Sequence, residues 1–446
     1  MINESIKDLI QNCLLPELKE NFDSALINKE CFKSYHECLL VQLPVIFDWM
    51  HEQEKWLFSS NENDHEKQDI QGQLIILLSE LSGLSSYEAI YNLDSNSQLL
   101  THVERLLNRF EIRMSAKAEE IIFNYYKDKL HKDKWKRNLG TIHGFTRYLE
   151  HRFQGSFGMT QLSLNFSLAA ALNVRTCHES HYKYLSTKIF HTMLDQGNAN
   201  DIRKTNIHSV IYDAALKDIY IMDSLLFVKS LWNCLLKCLN FYSEIDSFTW
   251  SQVDDLLEVL IRNVTLAPDS STSLQLTTFI NRLMVYFAIN NRELEEKLKT
   301  DLTKVNCLKD CRLLFSQNTS YTCYRWAKSI LQMFILESHK LKQSPDTSLK
   351  LLNELHHCYL VTIFPINLCI IESHLVEFME KFNIILMEVV RIQKENETVL
   401  KAITDLLETF YLHLENCSKS SKLLKYKNAY CELFKHPPFL SYVSVI

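Results

Sequence analysis

Glycine is nearly absent from this chain: all 7 glycines in 446 residues fall between Gly72 and Gly197, and prolines also number only 7. A soluble protein of this length ordinarily carries about 30 glycines and about 20 prolines. Hairpins, tight turns and phosphate-cradling loops draw on positive backbone dihedrals that glycine adopts most cheaply. A chain that does without them is expected to be all-α, with helices joined by short polar turns. Hydrophobic residues make up 46% and charged residues 23%, enough to bury a large core. Single cores stop growing near roughly 250–300 residues, and no Pro-, Gly- or Ser-rich linker divides this chain. A repeat array, whose core extends along one axis, meets both conditions.

Apolar residues recur at helical spacing throughout. Val253, Leu256, Leu257, Leu260, Ile261 and Val264 form one stripe, with a capping-box-like start at Ser251 and Asp254. Pro268 suits the first turn of the next helix, whose stripe is Leu276, Phe279, Ile280, Leu283 and Phe287. Upstream, Asp223 is placed to cap a helix bearing Leu225, Val228, Trp232, Leu235, Leu239 and Tyr242. Phe378, Phe382, Ile385 and Val389 form another seam, as do Ile403, Leu406, Leu407, Phe410 and Leu414. No run alternates at period two. Helix pairs of about 40 residues match degenerate HEAT or armadillo repeats, and about ten or eleven would fill the chain. The expected architecture is therefore an α-solenoid, with an N-terminal helical block over 1–139 and the main array over 140–446. The segment Asn61 to Asp69 reads as a polar loop.

Several function classes lack their signatures. The net charge of -6 provides no global basic field for nucleic acid or acidic membrane. The opening residues carry acids early and do not read as a signal peptide, and the apolar stretch Tyr359 to Ile371 is interrupted by Thr362, Pro365 and Asn367. Thirteen cysteines without a secretion signal point to reduced thiols in the cytoplasm or nucleus. Nucleotide-binding glycine motifs, H-E-x-x-H and C-x-x-C are all missing. Cys177 and His181 would share a face on a helix, yet a structural zinc site needs four ligands and no second pair with suitable spacing is visible. His356-His357-Cys358 reads the same way. Cys234 with Cys238, and Cys307 with Cys311, fit buried fillers of a helix face. No cofactor is called for, and no catalytic constellation is expected. A helical enzyme would need His178, His181 and an acid from another helix to converge in a pocket.

The stretch Lys127 to Asn138 carries six cations, Lys127, Lys129, Lys132, Lys134, Lys136 and Arg137, around Trp135. This offers an alternative reading as a nucleic-acid- or phosphate-binding surface, with the ring available for base stacking.

Asn206 to Tyr220 (NIHSVIYDAALKDIY), followed by a helix from Leu225 to Leu239 ending in WNCLLKCL, resembles the central helix pair of the Tel-two-interacting protein two family. In that family a V/I-L/I-Y-x-A-L helix precedes an acidic turn and a helix rich in Leu and Cys. Here Val210, Ile211, Tyr212, Asp213, Ala214 and Ala215 occupy the first pattern and Asp223 the turn. Leu164 to Leu194 resembles the preceding helix-turn-helix, with Asn173 to His178 in place of the family's Asp-Asp turn. The likeness covers residues 140–290. It implies a non-catalytic subunit of the Triple T cochaperone complex. Its expected partners are the other two helical-repeat subunits, heat-shock chaperone machinery and phosphatidylinositol-kinase-like kinases, whose maturation and stability it supports. Tyr212 and Asp213 are the expected partner-binding residues if they lie on an exposed face, and packing residues otherwise.

Overall fold

The computed structural model describes residues 2–23, 29–59, 64–84, 97–111, 116–152, 158–243, 250–288, 317–415, 417 and 420–443. Among these residues the chain is helical, and the sole β contact is a one-residue bridge between Met159 and Gly197. No helix of the described residues is long and apolar enough to cross a membrane. The chain divides into two compact units, one of Met1–Asp218 with Asn233–Glu244, the other of Ile219–Trp232 with Ile245–Ile446. A helix of the first unit, Leu139–Arg152, begins at residue 139.

The first unit is gathered around one helix. Its elements are α1 (Ile2–Asn12), α2 (Lys33–Glu52), α3 (Glu54–Leu57), α4 (His65–Leu84), α5 (Ser97–Glu111), α6 (Ala116–Lys129), α7 (Leu139–Arg152), α8 (Gln161–Arg175), α9 (Ser180–Gln196), α10 (Ala199–Lys204) and α11 (Ile207–Leu216). The C-terminal part of α12 (Leu225–Ser243) completes it. Helix α4 packs against α1, α3, α5, α6 and α7. Its sequence explains why: Ile70, Leu74, Ile75, Ile76, Leu77, Leu78 and Leu81 are all buried, and a helix that is apolar around its whole circumference is stable only in an interior. Of the loop expected from Asn61 to Asp69, residues 61–63 lie outside the described residues, and α4 already begins at His65, with Asp64 accepting the Lys67 N–H at 3.0 Å.

Gly72, Gly83, Gly140 and Gly144 sit in helix contacts. None of those described has a positive φ, whereas Lys132 (φ 48°) and Asn206 (φ 55°) do. A Cβ at Gly83 of α4 would lie 2.4 Å from the carbonyl oxygen of His143 in α7. One at Gly140 of α7 would lie 2.5 Å from the Glu80 carboxyl in α4, and one at Gly144 would lie 3.1 Å from the Tyr126 hydroxyl. One at Gly72 would press on Ile121 of α6 at 3.0 Å. The residue type read as a shortage of turns is thus spent on letting α4, α6 and α7 approach closely.

The second unit contains the N-terminal part of α12, α13 (Trp250–Leu266), α14 (Ser270–Ala288), α15 (Gln317–Ser338), α16 (Pro345–Thr362), α17 (Leu368–Ile392), α18 (Glu397–Glu415) and α19 (Ser421–Phe434). Its contacts follow a rule. Helices α13, α15, α17 and α19 touch in succession, α14, α16 and α18 touch in succession, and the two rows pack on each other. Phe334 of α15 anchors the interior, with ring centroids 5.3 Å from Phe378, 5.5 Å from Phe382, 6.2 Å from Tyr359 and 6.3 Å from Phe410. Trp232 is buried against Phe279, centroids 6.3 Å apart.

Helix starts differ from expectation by small offsets. Ser224, one residue after Asp223, caps α12 by accepting the Phe227 N–H at 3.4 Å. Asp254 accepts the Trp326 indole N–H at 2.9 Å and pairs with Arg325 at 2.6 Å. Asp269, just after Pro268, caps α14 by accepting from the Thr272 N–H at 2.8 Å.

Candidate functional site

The basic stretch is built into the first unit. Trp135, in the 3₁₀ turn Lys132–Lys136, is fully buried, its ring centroid 5.5 Å from Phe22 and 5.1 Å from Tyr182. Lys136 pairs with Asp23 at 2.5 Å, which holds that carboxyl below its usual range, and Lys134 pairs with Asp128 at 2.9 Å. Lys129 donates to the Tyr125 hydroxyl at 3.0 Å and Arg137 to Asn21 at 3.3 Å. Lys127 and Lys132 are exposed. Backbone bonds from Leu18 N–H to Arg137 O (2.9 Å) and from Phe22 N–H to Lys136 O (3.1 Å) lay the segment after α1 along this turn. Lys136 and Arg137 therefore hold the segment after α1, Lys134 and Lys129 bond to neighboring residues of their own stretch, and the ring that a base would stack on faces the core.

Tyr212 and Asp213 separate. Tyr212 is buried, edge-on to Tyr242 with centroids 5.8 Å apart, and is a packing residue; Asp213 faces solvent. Residues Cys177 to His181 also come apart. Cys177 is buried in the turn before α9, not on the helix, and its sulfur accepts the Glu179 N–H at 3.4 Å. His178 is exposed, while His181 stacks on His143 of α7, centroids 5.0 Å apart. Burial, then the charge of Lys188, pushes His181 down to about 4, and burial followed by His181 holds His143 well below its ordinary value. Cys234 and Cys238 are buried, and Cys307 and Cys311 lie outside the described residues. Among the described residues no three His, Cys, Asp or Glu side chains converge to hold a metal ion.

Two buried polar clusters were not visible in the sequence. Arg175 at the end of α8 donates to Ala214 O and Thr187 Oγ1, both at 3.0 Å, and pairs with Asp218 at 3.0 Å. Lys183 of α9 completes the cluster, at 2.7 Å from Asp218 and 3.2 Å from Arg175 O. Three buried charges thereby join α8, α9 and the turn after α11, each with hydrogen bonds that offset its loss of water. The second cluster centres on Glu80, which is 2% exposed and accepts the backbone N–H of Leu15. Burial pushes its carboxyl up to about 7, against the pull of the Leu15 N–H and of Lys129. Tyr125 and Tyr126 of α6 face it, and Gly140 and Gly144 make room for it. Only the combination of a Glu inside an apolar helix and glycines spaced by four on another hints at this from sequence.

Closed, hydrogen-bonded clusters of this kind hold helices in register. No protein-family model, no curated protein and no solved structure matches the chain.

Proposed function

We propose that this chain is a non-catalytic α-solenoid scaffold that holds protein partners on its helix faces. The observation that carries the reading is the alternation in the second unit, where odd- and even-numbered helices from α13 to α19 form two successive rows. Such stacking extends a surface by one helix pair at a time and commits no polar pocket to chemistry. The titratable groups at the center of the first unit are consistent with this, since they bond to neighboring helices.

The resemblance of Asn206–Tyr220 and Leu225–Leu239 to the Tel-two-interacting protein two family supplies the partner class. In this reading the chain works in the cytoplasm or nucleus as a Triple T-like cochaperone subunit, supporting the maturation and stability of phosphatidylinositol-kinase-like kinases. The test is affinity purification of the tagged protein from its native cells, with mass spectrometry of near-stoichiometric partners. Two large helical-repeat proteins recovered with chaperone factors or such kinases support the cochaperone role. Recovery of the chain alone, or with RNA, rejects it.

A further inference from the structure

Helix α2 is apolar on two faces. Tyr35, Leu39, Leu43, Ile46 and Met50 point inward. The opposite face carries Leu40, Val41 and Val45, which are 78%, 72% and 50% exposed, together with exposed Pro44. Positions i, i+1, i+4 and i+5 of a helix make one continuous patch over two turns. No other single helix of the described residues exposes three large apolar side chains within so short a run.

Two features of the patch state what covers it. Its ends are acidic: exposed Glu37 lies one turn before Leu40 and Val41, and exposed Asp48 and Glu52 follow Val45, with Lys33 the one lysine on this face. In addition, Pro44 lies inside the helix and has no N–H, so the carbonyl of Leu40 loses its helical donor in the middle of the patch. An apolar strip bounded by carboxylates, with a backbone acceptor at its center, complements a segment that has an apolar face and donor-bearing cations at its ends. A second copy of this chain fits poorly, because a two-fold contact through α2 brings Glu37 of one copy toward Asp48 of the other. An anionic membrane surface is repelled by the same acids.

We propose that the outer face of α2 is a docking site for a basic amphipathic helix of a partner protein, seated on Leu40, Val41, Pro44 and Val45, with its cations against Glu37 and Asp48. This rests on the scaffold reading and names one of its surfaces.

The experiment uses the full chain and two labeled helical peptides with the same two-turn apolar face, one flanked by lysines and the other by glutamates. Fluorescence anisotropy at low salt should show the lysine peptide binding at least tenfold more tightly. Val41→Asp should abolish that binding without moving the melting temperature, because the side chain is largely exposed. The double variant Glu37→Lys/Asp48→Lys should reverse the preference between peptides, which nonspecific stickiness cannot do. Equal binding of both peptides, no binding, or binding indifferent to these substitutions overturns the proposal. A marked loss of melting temperature in Val41→Asp does so too, since it means the chain covers this face itself. A concentration-dependent dimer that Val41→Asp dissolves, seen by sedimentation velocity, assigns the face to a second copy and also overturns it. Each of these failures leaves the co-purification test of the scaffold reading intact.

Discussion

Replacing Glu80 by Gln isolates what it costs this protein to keep an ionizable carboxyl among α4, α6 and α7. In the folded chain that carboxyl is pushed from 4.5 up to about 7, chiefly by burial. The folded state therefore holds the proton more tightly than the unfolded chain does. Glu80's contribution is most favorable below 4.5 and is lost as pH rises through 7. The whole shift corresponds to about 3 kcal/mol, and the part that develops between pH 5 and pH 8 to about 2–3 kcal/mol. Glutamine keeps an oxygen for the Leu15 N–H and carries no charge. Its effect on stability, relative to the parent, should thus become more favorable by about 2–3 kcal/mol between pH 5 and pH 8. Urea unfolding followed by far-UV circular dichroism at both pH values gives this difference, provided the m-value is unchanged. An effect of the same size at pH 5 and pH 8 would refute the argument. It would mean that the ionized carboxylate is not penalized, and that the Leu15 contact alone matters.

Further outcomes follow from the same packing. Gly83→Ala places a methyl 2.4 Å from the His143 carbonyl oxygen and should lower stability by about 1–3 kcal/mol or more, whereas Gly158→Ala, whose nearest atom is 3.5 Å away, should melt close to the parent. Asp218→Asn leaves Arg175 and Lys183 buried without their counter-charge, and should cost about 3–5 kcal/mol in urea unfolding. His181 is held near 4 against an ordinary 6.5, so it favors the folded state above 6.5 and costs stability as pH falls below that value. That loss should reach about 2 kcal/mol by pH 5, and His181→Phe should flatten the acid side of a melting temperature–pH profile by that amount.

The helical stripes were legible because periodicity is local. Val253 through Val264 and Ile403 through Leu414 fall inside α13 and α18 with their apolar positions buried. Caps were legible to within one residue, since Asp223 and Ser224 are both competent and only the backbone chooses between them. Pairings across long sequence separations were not legible. Lys136 looks like one of six surface cations until Asp23, 113 positions away, is beside it. Trp135 reads as an exposed stacking ring until Phe22 and Tyr182 close over it. The role of the few glycines was not legible for a related reason: a missing side chain can serve a turn or a helix crossing, and the sequence around Gly83 and Gly140 is compatible with both. The patch on α2 was readable in principle, because Leu39 to Val45 has more apolar residues than one helix face can use.

The segment that follows α1 raises a question of timing. Leu15, Leu18, Phe22 and Asp23 find their bonds on Glu80, Arg137 and Lys136. On a ribosome adding about 5–20 residues each second, that segment waits on the order of ten seconds before the 3₁₀ turn it pairs with has been made. During that interval Phe22 lacks the Trp135 ring it packs against. In a nascent chain Phe22 stays available to whatever binds unfolded protein at least until the turn around Trp135 emerges.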